Sequence, residues 1–310
     1  MNGLKIVYLG YMNNFLNCNL QDTIGHSFNP ISNGQIMSNP QDSRVGVIRI
    51  EGTNCEDESA QAFASLGCDV EKVHLKQLVG DVEPSNCRNL SDYDALYFPG
   101  GFSSGDYVRA GAIFASRMKS GLKTQIDDFI SSGKPVLGIC NGFQILVELG
   151  ALPGSDKGTT KIPDAVLHTN DSNRFEARHV NLKVNSSNKS FFLDKYEADQ
   201  VLAIPNAHAE GKLILDKDKL EEIEKNNQVA FRYCNSEGSL DAGYPWNPNG
   251  APNDIAGITN SKGNVLGMMP HPERVFHGWQ HTDWTSSGID PDGPGDGRPL
   301  FEGVVEFLCK

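Results

Sequence analysis

The chain has 310 residues, of which 38% are hydrophobic and 21% charged, a balance typical of a globular protein with one large domain or two modest ones. It contains no apolar run of about 18 residues, and its first residues lack the pattern of a secretory signal. The formal net charge of -12 argues against a large surface for nucleic acid or anionic membrane. We therefore expect a cytoplasmic protein that binds neither.

Seven cysteines are spread along the chain, and no two of them form a C-x-x-C pair. This spacing indicates neither a disulfide framework nor a zinc site, so we expect reduced thiols and no metal. A chemical role is then expected only for a cysteine in an unusual local setting.

The first 43 residues are rich in asparagine and have only a weak apolar segment, which predicts a poorly structured or weakly packed extension at 1–43. A single domain is predicted at 44–310. In its first part, apolar runs of strand type alternate with segments of helical spacing. The predicted strands are 45–50, 70–75, 93–98 and 134–139, and the predicted helices are 58–66, 123–131 and 143–149.

The second half of the domain has a different predicted secondary structure, because strands dominate after residue 154. The predicted strands there are 174–184, 200–204, 229–234, 255–259 and 265–269, with a hairpin turn at 260–264 and a helix over the last ten residues. The whole pattern predicts an α/β fold with a doubly wound, mainly parallel central sheet flanked by helices, and additional mixed or antiparallel strands in the C-terminal half. Ligands of such sheets bind at the carboxyl ends of the strands.

The strongest local motif is Gly138-Ile-Cys140-Asn-Gly142, at the junction of an apolar strand and a helix. A thiol between two glycines at such a junction is typical of a nucleophile elbow, where the helix N-terminus favours the thiolate. The alternative is a buried cysteine at a strand end, and the motif alone does not decide between the two.

A base for such a nucleophile is offered by Pro270-His271-Pro272-Glu273, directly after an apolar strand. His271 would leave the sheet at the same edge as Cys140, and Glu273 could hold its imidazole in one tautomer. The alternatives are a loop histidine and a surface salt bridge between Glu273 and Arg274. The joint placement of the three residues favours a Cys-His-Glu triad.

A glycine-rich loop, 98–106, follows a third buried strand. The backbone N–H of Gly101, paired with that of Asn141, could form an oxyanion hole for acyl transfer, worth about 2.7 to 4 kcal/mol per donor. A phosphate-binding loop is the alternative, but the G-x-x-x-x-G-K-[ST] pattern is absent from the sequence.

Together, segments 99–106, 138–144 and 270–274 resemble the class I glutamine amidotransferases, which hydrolyse glutamine and pass ammonia to a synthetase. One branch fits best, the glutaminase subunits of phosphoribosylformylglycinamidine synthase in purine biosynthesis. That resemblance covers 44–310 and also rests on segments 44–58, 98–109, 173–178, 207–211 and 247–254.

The resemblance implies that Cys140 attacks the side-chain amide of L-glutamine, that a thioester forms, and that His271, oriented by Glu273, gives a proton to the departing ammonia. It also implies an oxyanion hole at Gly101 and Asn141. The residues implied to lie near bound glutamine are Gln144, Arg174 and Phe175, and those implied to line an ammonia route or contact a partner are His208 and Glu210.

The implied partner is a formylglycinamide ribonucleotide synthetase subunit that carries ATP and magnesium, because this chain has no ATP-binding motif and no cofactor is implied in it. A third small subunit is left open. For Arg174 and Phe175 the alternative is ordinary strand residues, and for His208 and Glu210 it is a hydrogen-bonded loop corner. Trp279, His281 and Trp284 suggest a partner contact or the anchoring of a long loop.

Three other functions remain as alternatives: a non-catalytic regulatory subunit on the same fold, the glutaminase of another amidotransferase branch, and a cysteine hydrolase on a similar sheet.

Overall fold

The structure is a computed structural model that describes residues 39–155 and 158–310. Within these residues we number strands and helices separately in chain order. The strands are β1 (Arg44–Arg49), β2 (Asp69–His74), β3 (Ala95–Phe98), β4 (Val136–Ile139), β5 (Ala165–His168), β6 (Glu176–Val184), β7 (Val201–His208), β8 (Lys212–Leu215), β9 (Val229–Cys234), β10 (Ile255–Thr259) and β11 (Val265–Met268). The helices are α1 (Glu56–Ser65), α2 (Leu75–Val79), α3 (Ala112–Ser131), α4 (Asn141–Leu149), α5 (Lys217–Lys225) and α6 (Arg298–Leu308).

Nine strands form one sheet in the order β2-β1-β3-β4-β11-β10-β9-β6-β7. The first five are parallel to one another, and the other four extend the sheet with antiparallel pairings. β5 and β8 pair separately and antiparallel. The predicted doubly wound sheet with a more antiparallel second half is confirmed, and so is the hairpin between β10 and β11.

Helices cover both faces of the parallel half, as two neighbouring residues of β3 show. Successive side chains on a strand point to opposite faces. The Tyr97 ring packs against Phe63 of α1 and Phe301 of α6, whereas the Phe98 ring packs against Phe114 of α3. β3, β4 and β11 are buried on both faces, which explains why they are continuous apolar runs in the sequence, whereas β2 at the sheet edge buries only Val73.

The register of β4 and β11 decides where the candidate site lies. The two strands are parallel neighbours, with Gly138 opposite Gly267 and Ile139 opposite Met268. The chain segments that follow them therefore leave the sheet at the same edge. This is the carboxyl edge at which the sequence places Cys140 and His271.

Several elements differ from the prediction. α3 begins at Ala112 rather than at residue 123, because a continuous buried stripe that includes Phe114, Met118 and Leu122 extends the helix toward its N-terminus. The sequence analysis did not predict α2, α5, β5 or β8. α5 is highly charged and buries only Ile223, so its apolar stripe is too thin to give a helical signal.

Residues 1–38 of the predicted extension lie outside the described residues. Of residues 39–43, which belong to the same predicted extension, only Ser43 is buried, and its carbonyl accepts a hydrogen bond from the Asp69 N–H at 3.0 Å. No helix in the described part of the chain is both long and apolar enough to cross a membrane.

Candidate active site

Cys140 occupies the sharp turn between β4 and α4. Its φ of 54° and ψ of -107° are unfavourable for a residue with a side chain, so the surrounding structure must hold the strain. The flanking chain packs backbone against backbone: a Cβ at Gly142 would lie 1.8 Å from the Phe98 carbonyl oxygen, and one at Gly138 would lie 2.6 Å from the Gly142 oxygen. The structure thus forms the elbow that the glycine spacing predicts.

His271 and Glu273 form a buried pair on the segment that follows β11. His271 Nδ1 lies 2.6 Å from Glu273 Oε1, and each residue is only 2% exposed. The segment is fixed to β7, because the His271 N–H donates to the Pro205 carbonyl at 2.7 Å. Arg274 forms its ion pair with Glu58, so the alternative pairing of Glu273 with Arg274 is wrong.

The imidazole of His271 lies between this carboxylate and Cys140. Burial, the largest single influence, lowers the pKa of His271, but the charge of Glu273 and the contact with Cys140 outweigh it and hold that pKa well above its ordinary value. Since Nδ1 faces Glu273, the nitrogen left for Cys140 is Nε2. Nε2 is buried and has no hydrogen-bond partner among the described residues.

The glycine-rich loop after β3 packs against the side chains of His271 and Cys140. A Cβ at Gly100 would lie 2.6 Å from His271 Cε1 and 3.4 Å from Cys140 Cβ, so only glycine lets the loop approach so closely. Gly101 forms an antiparallel bridge with Thr53. The hydrogen bonds of that bridge run from the Phe102 N–H to the Gly52 carbonyl and from the Asn54 N–H to the Gly100 carbonyl.

Neither of those bonds uses the N–H of Gly101, which is left outside the bridge. The N–H of Asn141 lies in the first turn of α4, where backbone donors have no partner within the helix. Neither of these two N–H groups donates to a backbone carbonyl of the described residues. Ser103, on the same loop, donates its backbone N–H to Asn141 Oδ1 at 3.2 Å, which joins the loop to the elbow.

Gln144 is clamped on the first turns of α4. Its Oε1 accepts a hydrogen bond from Asn141 Nδ2 at 3.0 Å, and its Nε2 donates to the Glu210 carbonyl at 2.6 Å. Glu210 Oε2 in turn accepts from the Ala110 N–H at 3.0 Å. The predicted residues Asn141, Gln144 and Glu210 are thus brought together in one hydrogen-bonded network beside the elbow.

β7 forms the other wall of the site. Cys140 Sγ lies 3.4 Å from the Ala207 carbonyl oxygen, and the next residue, His208, is 3% exposed. His208 Nδ1 donates to Asn170 Oδ1 at 2.9 Å, because Asn170 Nδ2 is committed as a donor to the carbonyls of Arg174 and His208. Nε2 of His208 is buried without a partner among the described residues.

The environment keeps His208 neutral. Burial and the charge of nearby His271 lower the pKa of His208 to about 3. The His208 ring also packs closely against Gly211, because a Cβ at that glycine would lie 2.3 Å from His208 Cε1. The structure therefore shows the hydrogen-bonded corner that the sequence offered as an alternative, and places it next to the candidate active site.

The remaining predicted residues lie at the surface. Arg174 and Phe175 precede β6 and are exposed, and the Phe175 ring lies 6.3 Å from that of Phe102 on the glycine-rich loop. Arg174 reaches the site only through its carbonyl, which accepts from Asn170. In the long loop near the C-terminus, Trp279 stacks on His277 at 5.8 Å.

Sequence analysis assigned no role to three residues that contact the site. Tyr97 donates to Glu273 Oε2 at 3.4 Å, Asn170 holds His208, and the buried thiol of Cys55 lies 4.0 Å from His271 Nδ1. Cys55 had a usable signal, because it closely follows β1 and therefore lies at the same carboxyl edge. Asn170 had none, since three of its four side-chain hydrogen bonds join it to residues 38 or 41 positions away in the chain.

The chain is similar in sequence to known proteins. The profile of the CobB/CobQ-like glutamine amidotransferase domain family matches residues 42–308. A curated relative from Archaeoglobus fulgidus, phosphoribosylformylglycinamidine synthase subunit PurQ, is 49% identical over 277 residues, which cover 87% of this chain and 98% of the relative. The chain belongs to the PurQ family of glutamine amidotransferases. PurQ of Picrophilus torridus is 43% identical over 237 residues, 76% of this chain and 89% of that relative.

Among solved structures, a chain in PurLQS from Thermotoga maritima is similar, with a TM-score of 0.64 and 29% identity over 86% of this chain and 99% of that chain. Membership of the PurQ family confirms the branch that the motifs indicated. The protein is an enzyme subunit, the glutaminase of phosphoribosylformylglycinamidine synthase in purine biosynthesis.

Proposed function

We propose that Cys140, His271 and Glu273 act as the catalytic triad of this glutaminase. Cys140 Sγ attacks the side-chain carbonyl carbon of L-glutamine, and His271 Nε2 takes the thiol proton. The tetrahedral intermediate collapses to a γ-glutamyl thioester, and His271 returns the proton to the departing ammonia. Water, activated by the same nitrogen, then attacks the thioester and releases glutamate. The observation that carries this proposal is the buried His271–Glu273 pair, 2.6 Å apart, beside the strained elbow.

Glu273 keeps Nδ1 of His271 protonated and stabilises the imidazolium that forms when Cys140 is deprotonated. The raised pKa of His271 supports this assignment, because the charge of Glu273 favours the protonated ring although the ring is buried. The backbone N–H groups of Gly101 and Asn141 stabilise the oxyanion. The strained elbow aims the thiol without any motion at the moment of reaction.

The glutamine itself lies over the network of Asn141, Gln144 and Glu210. Gln144 is held on both sides of its amide, so it is a rigid wall rather than a mobile lid. The Phe175 ring lies 6.3 Å from that of Phe102, which adjoins Gly101, and we assign this exposed pair and the neighbouring Arg174 to the entrance for glutamine.

His208 lines the exit of ammonia in this proposal. Ammonia stays a nucleophile only while it is unprotonated, and a histidine with a pKa of about 3 does not act as a proton donor at neutral pH. The unpartnered Nε2 of His208 can accept a hydrogen bond from an ammonia N–H. Glu210, two residues later, fixes this wall to Gln144 and Ala110.

The ammonia is delivered to a formylglycinamide ribonucleotide synthetase subunit that binds ATP and magnesium, with a third small subunit as a further partner. The similar Thermotoga maritima chain occurs in PurLQS, which supports an assembly of this kind. Phe102 and Tyr107, on or just after the glycine-rich loop, and Phe175, just before β6, are exposed and provide apolar surface for that contact.

Glutamate release from glutamine tests the triad. It is measured for the wild-type chain and for Cys140→Ala, each with and without the synthetase subunit. We expect release to rise with the partner and to fall at least about 10⁴-fold in the variant. Cys87→Ala, which removes a half-buried thiol in a surface turn, is the matched control and is expected to keep wild-type activity. If neither wild type nor Cys140→Ala released glutamate in the presence of a partner that is active with free ammonia, the chain would instead be a non-catalytic subunit.

A further inference from the structure

A second thiol lies on the far side of the catalytic histidine. Cys55 is the N-cap residue of α1 and is 1% exposed. Its sulfur lies 4.0 Å from His271 Nδ1 and accepts a hydrogen bond from Arg274 Nη2 at 3.1 Å. The reaction described above makes no use of this thiol. The Nδ1 edge of His271 thus faces both a sulfur and the Glu273 carboxylate.

These groups have the composition of a metal site. One ligand atom from each of Cys55, His271 and Glu273 lies within 4.8 Å of the others, and all three side chains are buried. Sulfur, imidazole nitrogen and carboxylate oxygen are the ligands of Zn²⁺. Tetrahedral bonds to zinc place sulfur and nitrogen about 3.6 Å apart and nitrogen and oxygen about 3.3 Å apart. The observed separations of 4.0 Å and 2.6 Å therefore need shifts of less than about one ångström.

The charges around the cluster also suit a divalent cation. The Arg274 guanidinium is compensated by its ion pair with Glu58. The Cys55 thiolate and the Glu273 carboxylate would then balance the two positive charges of the ion. A buried site with no net charge avoids the cost of desolvating an uncompensated ion. Three protein ligands leave the fourth tetrahedral position for a water molecule.

We propose that Cys55, His271 and Glu273 form an inhibitory Zn²⁺ site. Binding is an exchange without oxidation or reduction: the ion takes the place of the thiol proton of Cys55, which passes to solvent, and it binds Nδ1 of the neutral His271 ring, whose single proton moves to Nε2. Zinc on Nδ1 removes the hydrogen bond from that nitrogen to Glu273. Nε2 then carries the only ring proton, so it can no longer take the proton of Cys140. This inhibition rests on the proposed role of His271 as the base.

The site itself is tested with Co²⁺ as the probe, which reports thiolate ligation by a charge-transfer absorption band. The full chain carries Cys140→Ala, so that the catalytic thiol cannot bind the ion. We expect the band to appear in this background and in Cys87→Ser, and to be lost in Cys55→Ser. Because Cys55→Ser could disturb folding, Glu273→Gln provides a second arm, in which Co²⁺ binding weakens at least tenfold. Absence of the band, or an equal band in Cys55→Ser, would overturn the proposal.

Inhibition is tested by titrating Zn²⁺ into the glutaminase assay of the otherwise unmodified chain with its synthetase subunit. We expect the inhibition constant to rise at least tenfold in Cys55→Ser, measured on its own residual activity, and EDTA to restore the activity of wild type. Equal inhibition of both would assign the zinc to Cys140 and overturn the regulatory proposal. If the chain proved to lack glutaminase activity, the Co²⁺ experiment would still decide whether the site exists.

Discussion

The two halves of the nine-stranded sheet contribute to the active site in different ways. The parallel half supplies Cys140, His271 and Glu273, all on segments that follow strand ends at one edge. The antiparallel half supplies the opposite wall, with the Ala207 carbonyl, His208 and Glu210. On the parallel side, glycines allow backbone segments to touch. On the antiparallel side, buried side chains bind backbone groups of distant residues.

This difference implies different sensitivities to mutation. Backbone contact at the elbow leaves no side chain to rearrange, so any added atom must displace the chain itself. The wall at β7 is held by hydrogen bonds, so its parts can be removed singly, at the cost of leaving buried partners unsatisfied.

The largest effect is expected for Gly142→Ala in the parallel half. Alanine favours a helix over glycine by about 1 kcal/mol, so local propensity alone predicts stabilisation. The added Cβ would instead lie 1.8 Å from the Phe98 carbonyl oxygen. We expect a loss of about 3 kcal/mol or more in the free energy of unfolding, measured by urea denaturation, and at least a 100-fold loss of glutaminase activity from a displaced elbow.

The matched control for this change is Gly133→Ala. Gly133 follows α3 with a φ of 86°, and a Cβ there would meet nothing within 4 Å. Its cost is therefore only conformational, about 1 kcal/mol, with activity retained. A Gly142→Ala protein as stable as wild type would show that the elbow does not depend on backbone contact.

The same contrast explains how much of the molecule could be predicted from its sequence. The parallel strands, the elbow and the His271–Glu273 pair follow from apolar runs, glycine spacing and the rule that parallel strands end at one edge. The wall at β7 does not, because Asn170, His208 and Gly211 meet only through tertiary hydrogen bonds. α5 was missed for a related reason, since its charged sequence buries a single isoleucine.

An intermediate effect is expected for Asn170→Ala in the antiparallel half. Asn170 is 2% exposed, donates to the carbonyls of Arg174 and His208, and accepts from His208 Nδ1 and the Gly211 N–H. Its removal leaves buried groups without partners, and we expect a loss of about 2 kcal/mol in the free energy of unfolding. Activity should also fall about tenfold, because His208 and the segment leading to Glu210 lose their support.

Asn188→Ala is the control for Asn170→Ala. Asn188 is also buried and makes hydrogen bonds to Thr259 and Ser190, which belong to none of the segments of the active site. A comparable loss of stability with unchanged activity is expected there. If both variants lost activity equally, the wall at β7 would have no role of its own in catalysis.

The smallest effect is expected where the two halves meet. Asp106, on the loop after β3, faces Glu210, which follows β7; burial, and then the charge of Glu210, raise the pKa of Asp106 to about 6. The pKa of an aspartate in the unfolded chain is about 3.9, so the folded state binds this proton more tightly. The stability that the proton contributes is fully present below about pH 4 and is lost as the pH rises through about 6.

Relative to wild type, Asp106→Asn should therefore be more stable at pH 8 than at pH 4. Melting temperatures of both proteins across this range test the prediction. The pH dependence of their difference should shrink in a Glu210→Gln background, since one of the two causes of the raised pKa is then absent. A difference that stays constant with pH would mean that the two halves do not bring these carboxyl groups into electrostatic contact.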